Sequence, residues 1–298
     1  MNLTPEQGRG HLAMLTFSAL VAGSFSLGHI VANEIAPAAI TALRFMLAAV
    51  VMGLFAGFGP GFRRAQFNAP WRYLVLGGFF AFYFVMMFEG LKTAKPVSAA
   101  AVFTLMPMMA AGFGWVLLRQ VTTPRMALAL SIAAGGALWV IFKGDLSALS
   151  SLDVGRGELF YFIGCISHAI YTPMVRKLNR GESTVIFTFG TLVAGSVILL
   201  VLGARDLLAT DWTALPGIVW LTLAYLVVFS TSASFVLLQY ATLRLPSAKV
   251  MAYSYLTPSW VILLEAAIGN GLPDPILMLG VGATIFALIL LLKDEASS

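Results

Sequence analysis

The chain reads as an all-α membrane protein of ten transmembrane helices. Ten apolar stretches of about 20 residues, the length that crosses a bilayer, fill nearly all of its 298 residues, and charged residues make up only 10% of it against 59% hydrophobic ones. A mean hydropathy of +0.91 comes with no polar block large enough for an appended soluble domain. Barrel strands need segments of roughly ten residues with alternating polarity. The stretches 127–142 and 276–292 are apolar on every face instead, so helices are the way left to satisfy the backbone in lipid.

The expected spans are 11–32, 37–58, 72–92, 96–119, 123–142, 156–176, 183–203, 216–240, 247–269 and 273–292. The first follows a short stretch, Met1–Gly10, and runs too long for a signal-peptide core, so it counts as a helix. Pro37, Pro96, Pro124, Pro216 and Pro273 open the second, fourth, fifth, eighth and tenth spans, where a missing N–H costs least. The second span also carries Gly53 and Gly57, a small-x-x-x-small pair suited to close helix contact. The third holds an aromatic and Met-rich run, 79–88. Pro107 and Pro258 fall inside the fourth and ninth spans, where a kink or break is expected, and Pro173 falls near the end of the sixth.

Laid out with the N-terminus inside, twelve of the 18 Lys and Arg residues face the cytoplasm, five face outward, and Arg44 lies within the second span. The positive-inside rule then puts both termini in the cytoplasm. This bias accounts for a pI near 9.5 without a nucleic-acid partner. Cys165 is the only cysteine, which excludes an intrachain disulfide and argues against thiolate metal ligation; no cofactor is expected.

The segment Ala99–Pro107 matches Val250–Pro258 in having small residues at similar places and a shared Leu-x-Pro ending. Residues 11–143 and 156–292 then form two units of five helices each. Because five is odd, the second unit enters the membrane from the opposite side, which makes an inverted repeat. That architecture belongs to secondary transporters, which bind substrate near the midplane between the halves and expose it to each side in turn.

These residues resemble the drug/metabolite transporter superfamily, in particular its EamA-type members with ten helices. The resemblance spans almost the whole chain. It rests on Pro37 followed by Arg44-Phe45, similar to that family's Pro-x(6)-Arg-Phe signature, and on Gly157-Glu158-Leu159, 167–171 and Val175-Arg176-Lys177. Position 168 departs from the pattern, because a Trp often stands there in the family and this chain has His168. Within the superfamily the chain looks closest to bacterial exporters of aromatic amino acids. The resemblance implies a multi-pass protein of the bacterial inner membrane that exports small metabolites.

Polar groups at depth are the place to seek a site, since an isolated charge near the bilayer centre costs roughly 2.5–3.5 kcal/mol on insertion scales. His168 is the one ionisable side chain near a midplane; it either lines a substrate cavity or sits as a neutral ring bonded to a carbonyl. The aromatic run offers Tyr83 and Met86, soft or ring-edged groups suited to an apolar substrate, although only about three of its ten residues can share one helix face. Phe103, Met106 and Tyr171 are further cavity candidates. So are Ser230 and Ser234 of the hydroxyl run 230–234, and Tyr253 and Trp260 beside the Pro258 break. For the hydroxyls the plainer reading is helix packing. Arg44, Glu89 and Glu265 all lie near outer helix ends, Arg44 roughly 10 Å below the start of its span at 1.5 Å per residue. A charge pair between Arg44 and one of the two glutamates is expected to hold the outer end together.

No His-Glu-x-x-His helix, Gly-x(4)-Gly-Lys loop or Gly-x-Ser-Gly elbow is present, so an enzyme is not expected. The function expected is export of amino acids with aromatic or other apolar side chains, with transport of other metabolites or drugs as the alternative and a non-transporting receptor or channel below it. Depth-placed carboxylates for proton coupling are lacking, which favours exchange or facilitated export.

Overall fold

The computed structural model describes residues 5–145 and 154–293, and within them the chain forms helices and turns only. The helices are α1 Pro5–Val31, α2 Pro37–Phe58, α3 Trp71–Leu91, α4 Pro96–Phe103, α5 Met106–Leu118, α6 Pro124–Ile141, α7 Arg156–Leu178, α8 Thr184–Leu202, the short α9 Ala204–Ala209, α10 Gly217–Val227, α11 Ser234–Thr242, α12 Ser247–Ala252, α13 Thr257–Ala267 and α14 Pro275–Lys293. Starts follow local chemistry. Pro37, Pro96 and Pro124 occupy first-turn positions, and the Thr123 and Ser183 hydroxyls accept from the N–H groups of Met126 and Ile186 at 3.1 and 3.4 Å.

Among the described residues seven helical stretches are long and apolar enough to cross a membrane: α1, α2, α3, α4–α5, α6, α8 and α10–α11. The other three expected spans fall outside that set for visible reasons. Helix α7 is less apolar along its length, with Ser167, His168, Tyr171 and Thr172 inside it, α12–α13 is broken into short pieces, and Pro275–Leu291 is apolar but shorter.

Three interruptions shape the interior. The fourth span breaks at Thr104 and Leu105, just before Pro107, where the Thr104 hydroxyl turns back to the Ala101 carbonyl at 2.7 Å. The ninth breaks in a 3₁₀ turn, Tyr253–Leu256, just before Pro258. Each proline thus opens a new helix segment, as expected from its missing N–H. Pro173 does not: α7 runs through it to Leu178. A third interruption, a π turn at Val228–Ala233 joining α10 to α11, coincides with the hydroxyl run.

Packing pairs α3 with α7, α1 with α11, α5 with α7, α1 with α13, α2 with α8, α5 with α12 and α6 with α14. Three crossings are so close that only glycine fits. A Cβ at Gly157 would lie 2.5 Å from the Gly90 carbonyl oxygen, one at Gly136 2.6 Å from that of Gly280, and one at Gly77 2.5 Å from the Gly195 backbone nitrogen. The core between the helices is rich in aromatic rings, including Phe25, Phe45, Phe80 and Phe103, while Phe58 and Leu202, 91% and 81% exposed, stand on the outside. Such an apolar exterior suits a lipid surround.

Candidate functional site

The side chains that converge at the centre come from both halves of the chain. Phe17, Val21, Ser24 and Phe25 come from α1, Phe80, Tyr83, Phe84 and Met87 from α3, Phe103 from the end of α4, His168 from α7, and Ser230, Ser234 and Phe235 from the π turn and α11. The α3 residues lie at i, i+3, i+4 and i+7, one face of a helix. The space left among these side chains is about 10 Å³, room for about one water, so the centre is closed. Larger openings lie toward the two ends of the bundle. One of about 600 Å³ is lined by His29, Lys95, Glu265 and Asp274 among others, and one of about 250 Å³ by Gln120, Thr123, Arg176 and Lys249 among others.

Phe80 organises the walls. It stacks on Tyr171 at 4.1 Å and meets Phe235 and His168 edge-on at 4.2 and 4.8 Å between ring centres, stacked and edge-on arrangements of the kind that add to simple burial. Tyr83 packs on His168 at 4.5 Å and hydrogen-bonds Tyr161 hydroxyl to hydroxyl at 2.9 Å. Behind them Gln239 Nε2 donates to the Tyr171 hydroxyl at 3.0 Å, and Thr188 donates to Gln239 Oε1 at 2.9 Å.

Polar groups in this region keep unused hydrogen-bonding capacity, among them His168, Arg44 and the Ser232 hydroxyl of the π turn. Among the described residues both ring nitrogens of His168, which is 2% exposed, lack a partner, and so does Nη1 of the fully buried Arg44. The rest of the Arg44 guanidinium is held firmly. Nε donates to the Thr231 hydroxyl, and Nη2 donates to the Ser230 carbonyl at 2.8 Å and its hydroxyl at 3.2 Å. The Arg44 Cζ atom sits 3.8 Å from the centre of the Phe84 ring, a cation–π arrangement. Ser230 also bonds Ser24 through their hydroxyls, and its carbonyl accepts from Ser234 at 2.8 Å. The π turn explains the accessible carbonyl, since it breaks the regular i to i−4 ladder locally.

Five of the residues singled out from the sequence line the centre: Tyr83, Phe103, His168, Ser230 and Ser234. Tyr171 stands one layer back against Phe80. Met86 does not line it, because it packs on the α7 backbone at Gly164. Met106 is buried in the core. Tyr253 and Trp260 instead meet α1 below the site, through His11 at 3.0 Å and Ser18 at 3.2 Å. Pro107 and Pro258 mark breaks and do not face the space.

The expected pair of Arg44 with Glu89 or Glu265 does not form. Seven residues into α2, Arg44 reaches the level of the π turn, whereas Glu89 pairs with Lys92 at 2.7 Å and Glu265 accepts from Asn270 at 2.8 Å at the rim. Sequence reasoning missed the α1 contribution, together with Phe80, Phe84, Met87 and Phe235. The α3 members were within reach through their helical spacing. The four α1 residues carry no signal apart from their own spacing at i, i+4, i+7 and i+8.

The arrangement defines a polytopic helical membrane protein with a small, mixed aromatic and polar chamber at its centre. The EamA-like transporter family model matches residues 8–142 and 155–293, and the chain belongs to that family. It is 26% identical over 264 residues to the uncharacterized transporter YyaM of Bacillus subtilis (strain 168), covering 87% of this chain and 86% of that protein. A protein crystal structure 19% identical in sequence matches 97% of each chain with a TM-score of 0.71, which shows the shared fold. The protein is therefore a membrane transporter of the EamA type.

Proposed function

We propose that the chain exports small metabolites, foremost amino acids with aromatic or other apolar side chains, across the bacterial cytoplasmic membrane by alternating access around the central chamber. The observation that carries this reading is the chamber itself: rings of Phe80, Tyr83, Phe84, Phe103 and Phe235 surround a closed space beside two buried groups with free hydrogen-bonding capacity, His168 and Arg44. Aromatic walls suit an apolar side chain, and the polar groups suit its charged or polar end.

The helix pairing supports a ten-helix inverted repeat with halves 11–143 and 156–292. If α1 corresponds to α7, α3 to α10–α11 and α4–α5 to α12–α13, then the packing of α3 on α7 repeats as α11 on α1, and that of α5 on α7 repeats as α13 on α1. The pairs α2 with α8 and α6 with α14 are then contacts of an element with its own counterpart, and α5 with α12 repeats as α13 with α4, a pattern that fits a twofold in the membrane plane. The breaks before Pro107 and Pro258 fall at matching places. Both termini lie in the cytoplasm in this reading.

Reconstituted protein tests it. Proteoliposomes loaded with one unlabelled amino acid at a time are given labelled phenylalanine, tryptophan, threonine or methionine. Uptake stimulated by internal substrate is expected for the aromatic and apolar compounds. A folded protein that moves none of them contradicts the substrate assignment.

A further inference from the structure

We propose that Arg44 makes the central chamber select substrates by their carboxylate rather than by their amine, so that apolar carboxylic acids without an amino group are also ligands while the corresponding amines and amides are not. This rests on the reading of the chamber as the transport site.

Charge is the first consideration. Arg44 is fully buried and has no acidic partner among the described residues: its donors go to Thr231 and Ser230, and its face goes to the Phe84 ring. Hydroxyl and carbonyl oxygens bring only partial charge, and a buried guanidinium without a counter-ion is costly, because it has given up water for dipoles alone. The remaining donor, Nη1, is without a partner among the described residues. A guanidinium in that state is complementary to a carboxylate, which its unpartnered Nη1 can meet with a charge-assisted hydrogen bond.

The position connects this cation to the substrate space. Both of its principal neighbours, Ser230 and Phe84, line the chamber, so Arg44 is one side chain behind the wall. Ser24 and Ser230 present the hydroxyls at that wall and are bonded to each other. They are placed to pass a ligand's carboxylate toward the guanidinium.

The rest of the chamber offers aromatic faces but, among the described residues, no Asp or Glu carboxylate to pair with an ammonium. His168 supplies ring nitrogens without partners, and a neutral imidazole has one acceptor and one donor. That suits a hydroxyl or a carbonyl as well as an amine, so the amino group is tolerated and not required.

Four ligands that share the phenyl side chain test this on the intact protein: phenylalanine, 3-phenylpropionate, phenylalaninamide and phenethylamine. Each competes against labelled phenylalanine in proteoliposome exchange, and each is checked for thermal stabilisation of the detergent-solubilised protein. The two acids should compete, and the amide and amine should be at least about tenfold weaker, the effect of losing one hydrogen bond to a charged group. Arg44→Lys should retain part of the preference, and Arg44→Gln should erase it.

If phenethylamine or the amide competes as well as phenylalanine and 3-phenylpropionate does not, selection by the carboxylate is overturned while the transport reading stands. If none of the four binds or moves in folded protein, the substrate reading itself fails and carboxylate selection falls with it. The ligand comparison uses the unmutated chain, so its outcome does not depend on whether the Arg44 variants fold.

Discussion

Arg72 and Glu182 lie 2.6 Å apart with side chains only 2% and 5% exposed, tying the start of α3 to the loop between α7 and α8. Arg72 also donates to the Leu178 carbonyl at 2.6 Å at the end of α7. One guanidinium therefore clamps the two halves of the chain together at one end of the bundle.

Glu182→Gln removes the charge while Arg72 keeps the Leu178 carbonyl, so folding stability should fall by about 1–3 kcal/mol, the range for a hydrogen bond to a charged group. The measurement is the thermal midpoint of purified protein. A shift too small to resolve would reduce this contact to a surface-like pair.

The same pair sets a pH dependence. Burial pushes the Glu182 carboxyl up, but the hydrogen bonds from Arg72 and from the Arg180 N–H more than offset it, and the group ends below its ordinary value of 4.5. A carboxylate that is more acidic when folded contributes its full stability above the unfolded value and loses it as the pH falls through the folded one. The stability of the unmutated protein should therefore decline more steeply below about pH 4.5 than that of Glu182→Gln. Parallel curves would contradict this.

The glycine crossings predict a graded response. Gly157→Ala puts a methyl against the Gly90 backbone, and overpacking of this kind costs about 1–3 kcal/mol. Gly135 has open space at its Cβ, so Gly135→Ala should be nearly neutral. Size-exclusion profiles and thermal midpoints of the two variants provide the comparison, and equal behaviour would show that the α3–α7 contact relaxes freely.

His168→Phe keeps a ring against Phe80 and Tyr83 and removes both nitrogens. Loss of one neutral hydrogen bond to the ligand should weaken apparent affinity about two- to tenfold, with the thermal midpoint little changed. Unaltered affinity in exchange assays would remove His168 from the ligand-binding set.

Met86 and Met87 separate the two faces of α3. Met87 lines the chamber and Met86 packs against α7 at Gly164. Met87→Ala should widen the preference toward bulkier side chains in competition assays, and Met86→Ala should leave the order of preference unchanged. Identical substrate rankings for the two variants would contradict the assignment of faces.

Seven of the ten expected spans reappear among the described residues as long apolar helices, because lipid demands such runs, and the breaks before Pro107 and Pro258 are legible because proline lacks an N–H. The site is only partly so. Composition marks the aromatic run of α3, but its helical phase, which selects Phe80, Tyr83, Phe84 and Met87 over Met86, is needed to see which residues turn inward. From its position along α2, Arg44 looks like a rim charge seeking an acid. Its real partners are a carbonyl and hydroxyls of a π turn, and nothing in a run of Ser and Thr announces that local widening. The contribution of α1 depends on tertiary packing against α11 and α13, which no local pattern encodes.

Alternating access requires a chamber that opens to both sides of the membrane. Ser234 lines that chamber, and Cys165 is the only native cysteine, so Ser234→Cys in a Cys165→Ala background gives one reporter thiol. Its reaction with a membrane-impermeant maleimide, added to sealed vesicles from the outside or from the lumen, is the most direct measurement. Labelling from either side, slowed in both cases by a bound substrate, is the result expected of a central transport site. Labelling from one side only, unaffected by substrate, would contradict it.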